Sequence, residues 1–442
     1  MARYWFIALM ASICLEGLGR RYLPQVPSII FYLLKDAVLI VGFLNFKASA
    51  STKRITDHLF RGFSVFWIGG FIFTLVELPN TATQSPVLGL IGLRAYWLWW
   101  IAPVVIAGFL ESPTNRKQAI QVLAYLTIGI SVLAAFQFVS PPDAAINVYS
   151  VVDGETVSAA GSGTVAATGR ARVASTFAFI SGFSDFTILV PALLLSIGLG
   201  TTDKKIRTLS LVATGCSAAA LPMSGSRSSV VFGIGVLAIT CWSAGLFFTV
   251  IGRRIIIGGI VSLVLASVAF PDALGGVQAR FGETEETTGR FWAALTILPP
   301  VAIMTYDYPL AGVGTGMMQN AAGSMHIYTP YAAEAEVHRY LVELGPAGFC
   351  LVWMTKLGIM VALLRAHSIL KRAGRRAAAG AALSYAAVTF FGNITFDHIW
   401  QALFFVGSGF IIAETKLALE SLAAAARTRA QASGPPPVAH GA

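Results

Sequence analysis

The chain has 442 residues, 56% of them hydrophobic and only 12% charged, and it carries a formal net charge of +10. Soluble domains carry roughly 25% charged residues, so this composition excludes a soluble globular protein. The basic excess sorts by loop rather than gathering in one patch, so it gives no case for a nucleic-acid partner.

Apolar runs of about 17–25 residues recur from end to end, each long enough to cross a ~30 Å hydrocarbon core as a helix. Twelve spans are expected, at about 4–18, 28–46, 60–78, 86–110, 119–140, 177–200, 207–222, 229–250, 254–271, 345–364, 377–392 and 398–415. The first follows Arg3 in the manner of a signal peptide. No convincing small-residue cleavage site comes after it and a second span follows at once, so it reads as a helix. The expected fold is an all-α polytopic membrane protein of about twelve transmembrane helices, with a long loop before the tenth. Residues 1–426 form one transmembrane domain with long loops at about 141–176 and 271–344, and the Pro/Ala/Gly-rich 427–442 a disordered tail.

Loop charges orient the spans. With a cytoplasmic amino terminus, the cytoplasmic segments hold Lys47, Lys53, Arg54, Arg61, Arg116, Lys117, Lys204, Lys205, Arg207, Arg253, Arg254, Arg365, Lys371, Arg372, Arg375 and Arg376. The opposite short loops at 79–85 and 393–397 hold no basic residue. This orientation sets both long loops outside the cytoplasm. Cys14, Cys216, Cys241 and Cys350 fall within or at the ends of spans without CxxC or Cys/His spacing, and read as small apolar packing residues.

Charges inside spans are costly, about 2.5–3.5 kcal/mol each on the insertion scale, and call for a partner or a cavity. Lys35, Asp36, Arg94, Asp185 and Lys356 lie on five sites at similar depth, roughly 12–17 Å from one surface. That common depth predicts one shared, water-accessible cavity. Nearer the surface come Arg170, Arg172, Arg227, Arg290 and Arg339. Arginine's planar fork suits phosphate oxygens and stays charged at any working pH. Arg227 sits in SGSRSS, where small hydroxyl residues open a helix whose amino end favours anions; the same arginine could also reach phospholipid headgroups. At the re-entry from the last long loop, Glu334, Glu336, His338, Arg339 and Glu343 crowd into ten residues. Arginines at a membrane boundary point to polyprenyl-diphosphate-linked sugars, with the arginines stabilising the departing diphosphate. A nearby base would complete displacement at the anomeric carbon.

These residues resemble the O-antigen ligase and polymerase superfamily of bacterial envelope polysaccharide enzymes. The similar stretches are FYLLKDAVL (31–39), LIGLRAYW (90–97), GRARVASTF (169–177), SGSRSS (224–229), TTGRFWAAL (287–295), YPLAGVGTG (308–316) and EVHRYLVELGPAG (336–348), in the family's order. The resemblance implies a glycosyltransferase of GT-C-like architecture in the bacterial inner membrane, with its active site facing the periplasm. Such an enzyme polymerises undecaprenyl-diphosphate-linked repeat units by inversion, without metal or cofactor. Arg172, Arg227 and Arg290 would meet diphosphate and glycan, joined by Arg339, Arg94 and Arg170. The base is left open among His338, Glu336 and Glu343. Expected partners are the lipid-linked glycan, membrane lipid and a chain-length regulator. The early Glu343–Gly345 turn favours polymerase over a ligase that transfers polymer to lipid A–core. A lipid-linked-sugar transporter is the alternative from another class, but paired repeats are missing.

Three other features carry weaker expectations. GVGTG (312–316) has the wrong spacing for a dinucleotide fingerprint and reads as a turn. Asp397 and His398, beside Asn393, read as headgroup-facing polar residues that could also line the site. Trp97, Trp99 and Trp100 read as interfacial or packing residues.

Overall fold

In a computed structural model the protein is a bundle of helices. The structure describes residues 2–246 apart from 24, 81–83, 153–154 and 160–167, then isolated positions between 250 and 275, and 298–432 apart from 306, 332 and 334. In chain order the described elements begin with α1 (Ala2–Cys14), α2 (Glu16–Tyr22), α3 (Ser28–Asn45), α4 (Ala50–Phe60), α5 (Ser64–Val76), α6 (Pro86–Trp97), α7 (Ala102–Phe109) and α8 (Pro113–Val139). A short antiparallel hairpin, β1 (Val148–Val152) with β2 (Glu155–Ser158), follows. Next come α9 (Ile180–Gly200), α10 (Lys204–Ala220), α11 (Arg227–Ser243), α12 (Pro299–Thr305), α13 (Asn320–Ser324), α14 (Glu336–Arg372), α15 (Arg376–Phe391) and α16 (His398–Ala432).

Among the described residues, seven helices are long and apolar enough to cross a membrane, and eight if α4 and α5, bent by 89°, make one span. The described chain is therefore mostly helical, with the character of a polytopic membrane protein. Of the twelve expected spans, the stretch at 254–271 falls mostly outside the described residues. The first span and that at 229–250 correspond to shorter helices, Tyr4–Cys14 and Arg227–Ser243. Helix α16 runs past residue 427 to Ala432, so the first part of the expected tail continues a helix.

Local sequence sets the helix starts. Pro86 and Pro113 open α6 and α8, where proline's missing N–H costs nothing. Asp203 caps α10 by accepting from the backbone N–H groups of Lys205 and Ile206 at 2.9 and 3.2 Å.

Helix α9 is the most enclosed span, with 89% of its apolar stretch buried. It packs against α10, α11, α15 and α16, so residues on it face protein on nearly every side. The outward faces are apolar instead: Leu44 is 67% exposed and Ile72 54%, as side chains meant for lipid should be.

Helix α14 is two helices. At Gly345 the backbone takes φ 61°, ψ −178°, and Pro346 opens the second leg. The result is a hairpin whose first leg, 336–344, folds back beside the second, 346–372. The 308–316 segment locks the bend. Its Val313 and Gly314 N–H groups donate to the Val342 and Glu343 carbonyls at 2.9 and 3.0 Å, satisfying groups that a helix end leaves without partners. A Cβ on Gly345 would lie 2.3 Å from the Leu310 carbonyl oxygen, so both the φ angle and the contact require glycine. The expected turn at GVGTG is thus a clamp on a helix terminus.

Candidate functional site

The bend determines where the charged re-entry segment goes. Glu336 pairs with Lys356, and its other oxygen accepts from the Thr395 N–H at 2.6 Å. Lys356 also donates to the Gly392 carbonyl at 2.8 Å. Tyr340 reaches Thr395 through its hydroxyl at 2.7 Å, and the Arg339 guanidinium lies over the Phe396 ring at 5.5 Å. The first leg of α14 is therefore fastened to the 392–397 turn between α15 and α16.

Glu343 is fully buried in this leg. It accepts from the Met318 N–H at 2.6 Å and from the Tyr96 hydroxyl at 2.9 Å, tying α6, the 308–318 segment and α14 together. His338, 8% exposed, lies on the same leg. The three candidate bases are thus neighbours along one short helix. Two of them, Glu336 and Glu343, are held by donors that fix the fold.

The five intramembrane charges divide among different partners rather than gathering at one cavity that all of them line. Asp36 pairs with Arg94 at 2.5 Å and accepts from the Trp99 indole at 2.9 Å; Arg94 also bonds the Tyr32 hydroxyl at 2.5 Å. Lys35 pairs with Glu16 at 2.7 Å, and His398 approaches the same carboxylate at 3.4 Å. The Tyr32 ring lies under both cations, 4.6 Å from the Lys35 ammonium and 4.3 Å from the Arg94 guanidinium. Lys35, Asp36 and Arg94 are therefore engaged with each other, with α2 and with α16. They separate from Lys356, which serves Glu336, and from Asp185. Partners found across helices, which sequence spacing does not display, divided the set.

Asp185 alone of the five lines a cavity of about 330 Å³. Its lining includes Arg172 with Ser226, Ser228 and Ser229 of the α11 start, and Ser184, Asp185, Asn393 and Trp400. Arg172 donates to the Ser224 carbonyl at 3.3 Å, and the Val173 N–H donates to the Met223 carbonyl at 3.1 Å. These bonds bring GRARVASTF against SGSRSS, so Arg172 and the helix turn carrying Arg227 meet. Ser226 caps that turn, accepting from the Ser229 N–H at 3.4 Å. Arg170 points elsewhere and pairs with Asp272 at 2.9 Å. Arg290 and Glu334 lie outside the described residues.

Of the polar residues between the last two spans, Asn393 lines this cavity. The Asp397 carboxyl lies against that of Asp185. The tryptophans keep to packing: Trp99 is fully buried and Trp97 donates to the Thr74 hydroxyl at 2.6 Å. Glu16 and Thr395 gave no sequence signal, since each acts only through a partner many residues away. Among the described residues, no group of three or more His, Cys, Asp or Glu side chains is arranged to hold a metal ion.

The chain matches no protein-family model, and no curated protein resembles it at a significant level.

Proposed function

We propose that the protein is an integral-membrane glycosyltransferase that polymerises undecaprenyl-diphosphate-linked oligosaccharide repeat units into a surface polysaccharide. One observation carries this reading: a single cavity is lined by an arginine, by the serines of a helix N-terminus and by a buried carboxyl. The arginine side suits a diphosphate, because guanidinium and helix terminus both favour phosphate oxygens. The carboxyl and asparagine side suits hydroxyl groups. The volume falls near the roughly 300 Å³ lower end of ligand sites, about right for the reacting part of a lipid-linked sugar. The lipid chain would lie along the apolar outer faces of the spans.

In this reading Arg172, with Arg227 from the α11 turn it packs against, stabilises the negative charge that grows on the leaving diphosphate. Arg339, on the leg fastened to the 392–397 turn, would meet the glycan. The active site would face the periplasm, in line with the loop charges.

The test is direct. Purified protein in bilayer discs is given an undecaprenyl-diphosphate-linked repeat unit, and products are separated by chain length. Longer lipid-linked glycans support polymerase. Product found on lipid A–core alone means ligase, and lipid crossing the bilayer with no new glycosidic bond means transporter.

A further inference from the structure

Two residues of the 392–397 turn, Gly392 and Asn393, line the cavity, and the turn is held from several sides. From the first leg of α14, Glu336 accepts from the Thr395 N–H at 2.6 Å and Tyr340 bonds the Thr395 hydroxyl at 2.7 Å. From the second leg, Lys356 donates to the Gly392 carbonyl at 2.8 Å. On the α16 side the Trp400 ring packs so close that a Cβ on Gly392 would lie 2.3 Å from it. The turn has little freedom to move, so a group it presents to the cavity is presented in one place.

Asn393 is such a group. Its Oδ1 accepts from the Phe396 and Asp397 N–H groups at 2.8 and 3.1 Å. Both partners are donors, so the atom they meet must be the amide oxygen, and the amide cannot be turned over. An asparagine amide is planar, so fixing its oxygen against the turn also fixes its nitrogen. Among the described residues that nitrogen donates to no other group, and Asn393 is half-buried at the cavity.

The rest of the lining says what this donor meets. Arg172, Ser226, Ser228 and Ser229, which suit phosphate, come from other elements. The residues that α15, the turn and α16 contribute are Val388, Gly392, Asn393 and Trp400, with no charge among them. An uncharged amide together with an indole and an aliphatic side chain suits a sugar, whose ring has both oxygen acceptors and apolar C–H faces.

We propose that Asn393 is a sugar-binding residue of this site: its Nδ2 donates to a sugar oxygen of the lipid-linked substrate, and the first leg of α14 positions it through Tyr340 and Thr395. The inference rests on the glycosyltransferase reading. With its oxygen committed to the turn, the amide gives a hydrogen bond and takes none. It therefore selects a sugar that turns an oxygen lone pair towards it. The leg is a positioning element, since it touches the turn and acts on the sugar only through Asn393.

Binding to the full chain in bilayer discs tests this with two probes, the undecaprenyl-diphosphate-linked repeat unit and undecaprenyl diphosphate alone. Asn393→Ser is the informative variant. A serine hydroxyl can accept from the same two turn N–H groups, but it is shorter than the amide and brings no charge near the phosphates. It should weaken the repeat unit about three- to tenfold, the worth of one hydrogen bond, and the bare diphosphate lipid by less than about twofold. The unfolding temperature should move by less than about 2 °C. Equal weakening of both probes, or of neither, overturns the assignment. If the serine variant unfolds, Asn393→Asp keeps an oxygen towards the turn and lacks the amide hydrogens. It must then weaken the repeat unit more than the bare lipid, and equal weakening overturns the assignment. Tyr340→Phe removes the bond to Thr395 and leaves the ring in place. It should weaken the repeat unit about two- to threefold in the wild-type background and have no effect in Asn393→Ser, because positioning acts through the amide. The same loss in both backgrounds overturns the positioning role. Wild-type protein that binds neither probe sinks the glycosyltransferase reading along with this one, whereas normal wild-type binding with an indifferent Asn393→Ser sinks this one alone.

Discussion

Glu336 and Lys356 are twenty positions apart in one helical segment, yet they form an ion pair. In a straight helix that separation would be about 30 Å. The pair exists because the chain reverses at Gly345, bringing nine residues of one leg beside eleven of the other. It is also the point where the hairpin meets the turn lining the cavity, through Thr395 and Gly392. The geometry of the candidate site thus depends on a contact inside a single element.

Removing one partner of that pair leaves a charge buried and alone. Lys356→Met should destabilise the protein by about 3–5 kcal/mol, whereas Lys356→Met combined with Glu336→Gln should recover most of the loss. Thermal unfolding of the single and double variants in detergent measures both. Equal losses in the two would mean the pair is not what fastens the hairpin.

Gly345→Ala should cost more than an ordinary glycine substitution. The positive φ alone is worth about 1–2 kcal/mol against an L residue, and the Leu310 carbonyl adds a clash. We expect the 308–316 clamp to open, making this segment cleavable by added protease while the spans stay protected.

Arg94 and Arg172 should behave differently although both are expected glycan contacts. Arg94→Ala leaves Asp36 buried without its cation, and expression and thermal stability should both fall sharply. Arg172→Ala removes a cavity-lining cation and one long bond to the Ser224 carbonyl, while the Val173 to Met223 backbone bond stays. It should lower chain extension about 100-fold, comparable to losing one oxyanion-stabilising donor, with stability changed by less than about 1 kcal/mol. A parallel fall in stability and turnover for Arg172→Ala would assign that arginine to the fold.

Glu111, in the short link between α7 and α8, gives a pH prediction. Partial burial pushes its carboxyl up, but bonds from Thr52, Ser49 and Lys416 outweigh this and hold it at about 2. Because the folded value is depressed, the stabilisation is complete above the ordinary carboxylate value near 4.5 and is lost as pH falls towards about 2. The wild-type unfolding temperature should therefore drop over that window more steeply than that of Glu111→Gln. Parallel curves would show that the link between α4, α8 and α16 does not depend on this charge.

Much of the fold is legible because the bilayer sets strict terms. A span must satisfy its backbone internally and present apolar side chains, so Ser28–Asn45, Pro113–Val139 and Ile180–Gly200 are readable as runs of hydrophobic sequence. The Gly345–Pro346 break was visible as a turn, but its consequence was not, since periodicity does not tell a bend from a reversal. The resemblance implied one ligand for Arg172 and Arg227, but the packing of GRARVASTF on SGSRSS, made by two hydrogen bonds across some fifty residues, was not legible. The carboxyl contact of Asp185 with Asp397 had no sequence signal of its own.

The sequence by itself determined the class of protein, the positions of most helices and which residues would be expensive to bury. Those follow from local composition, since transfer from water to hydrocarbon is decided residue by residue. Only the tertiary structure decided which buried charge found a partner. Arg94, Lys35, Glu336 and Glu343 are neutralised or bonded by groups from distant elements, and Asp185 is left facing a second carboxyl. Coulomb energy in a low dielectric depends on distances of a few ångströms, and those distances are set by helix packing rather than by position along the chain.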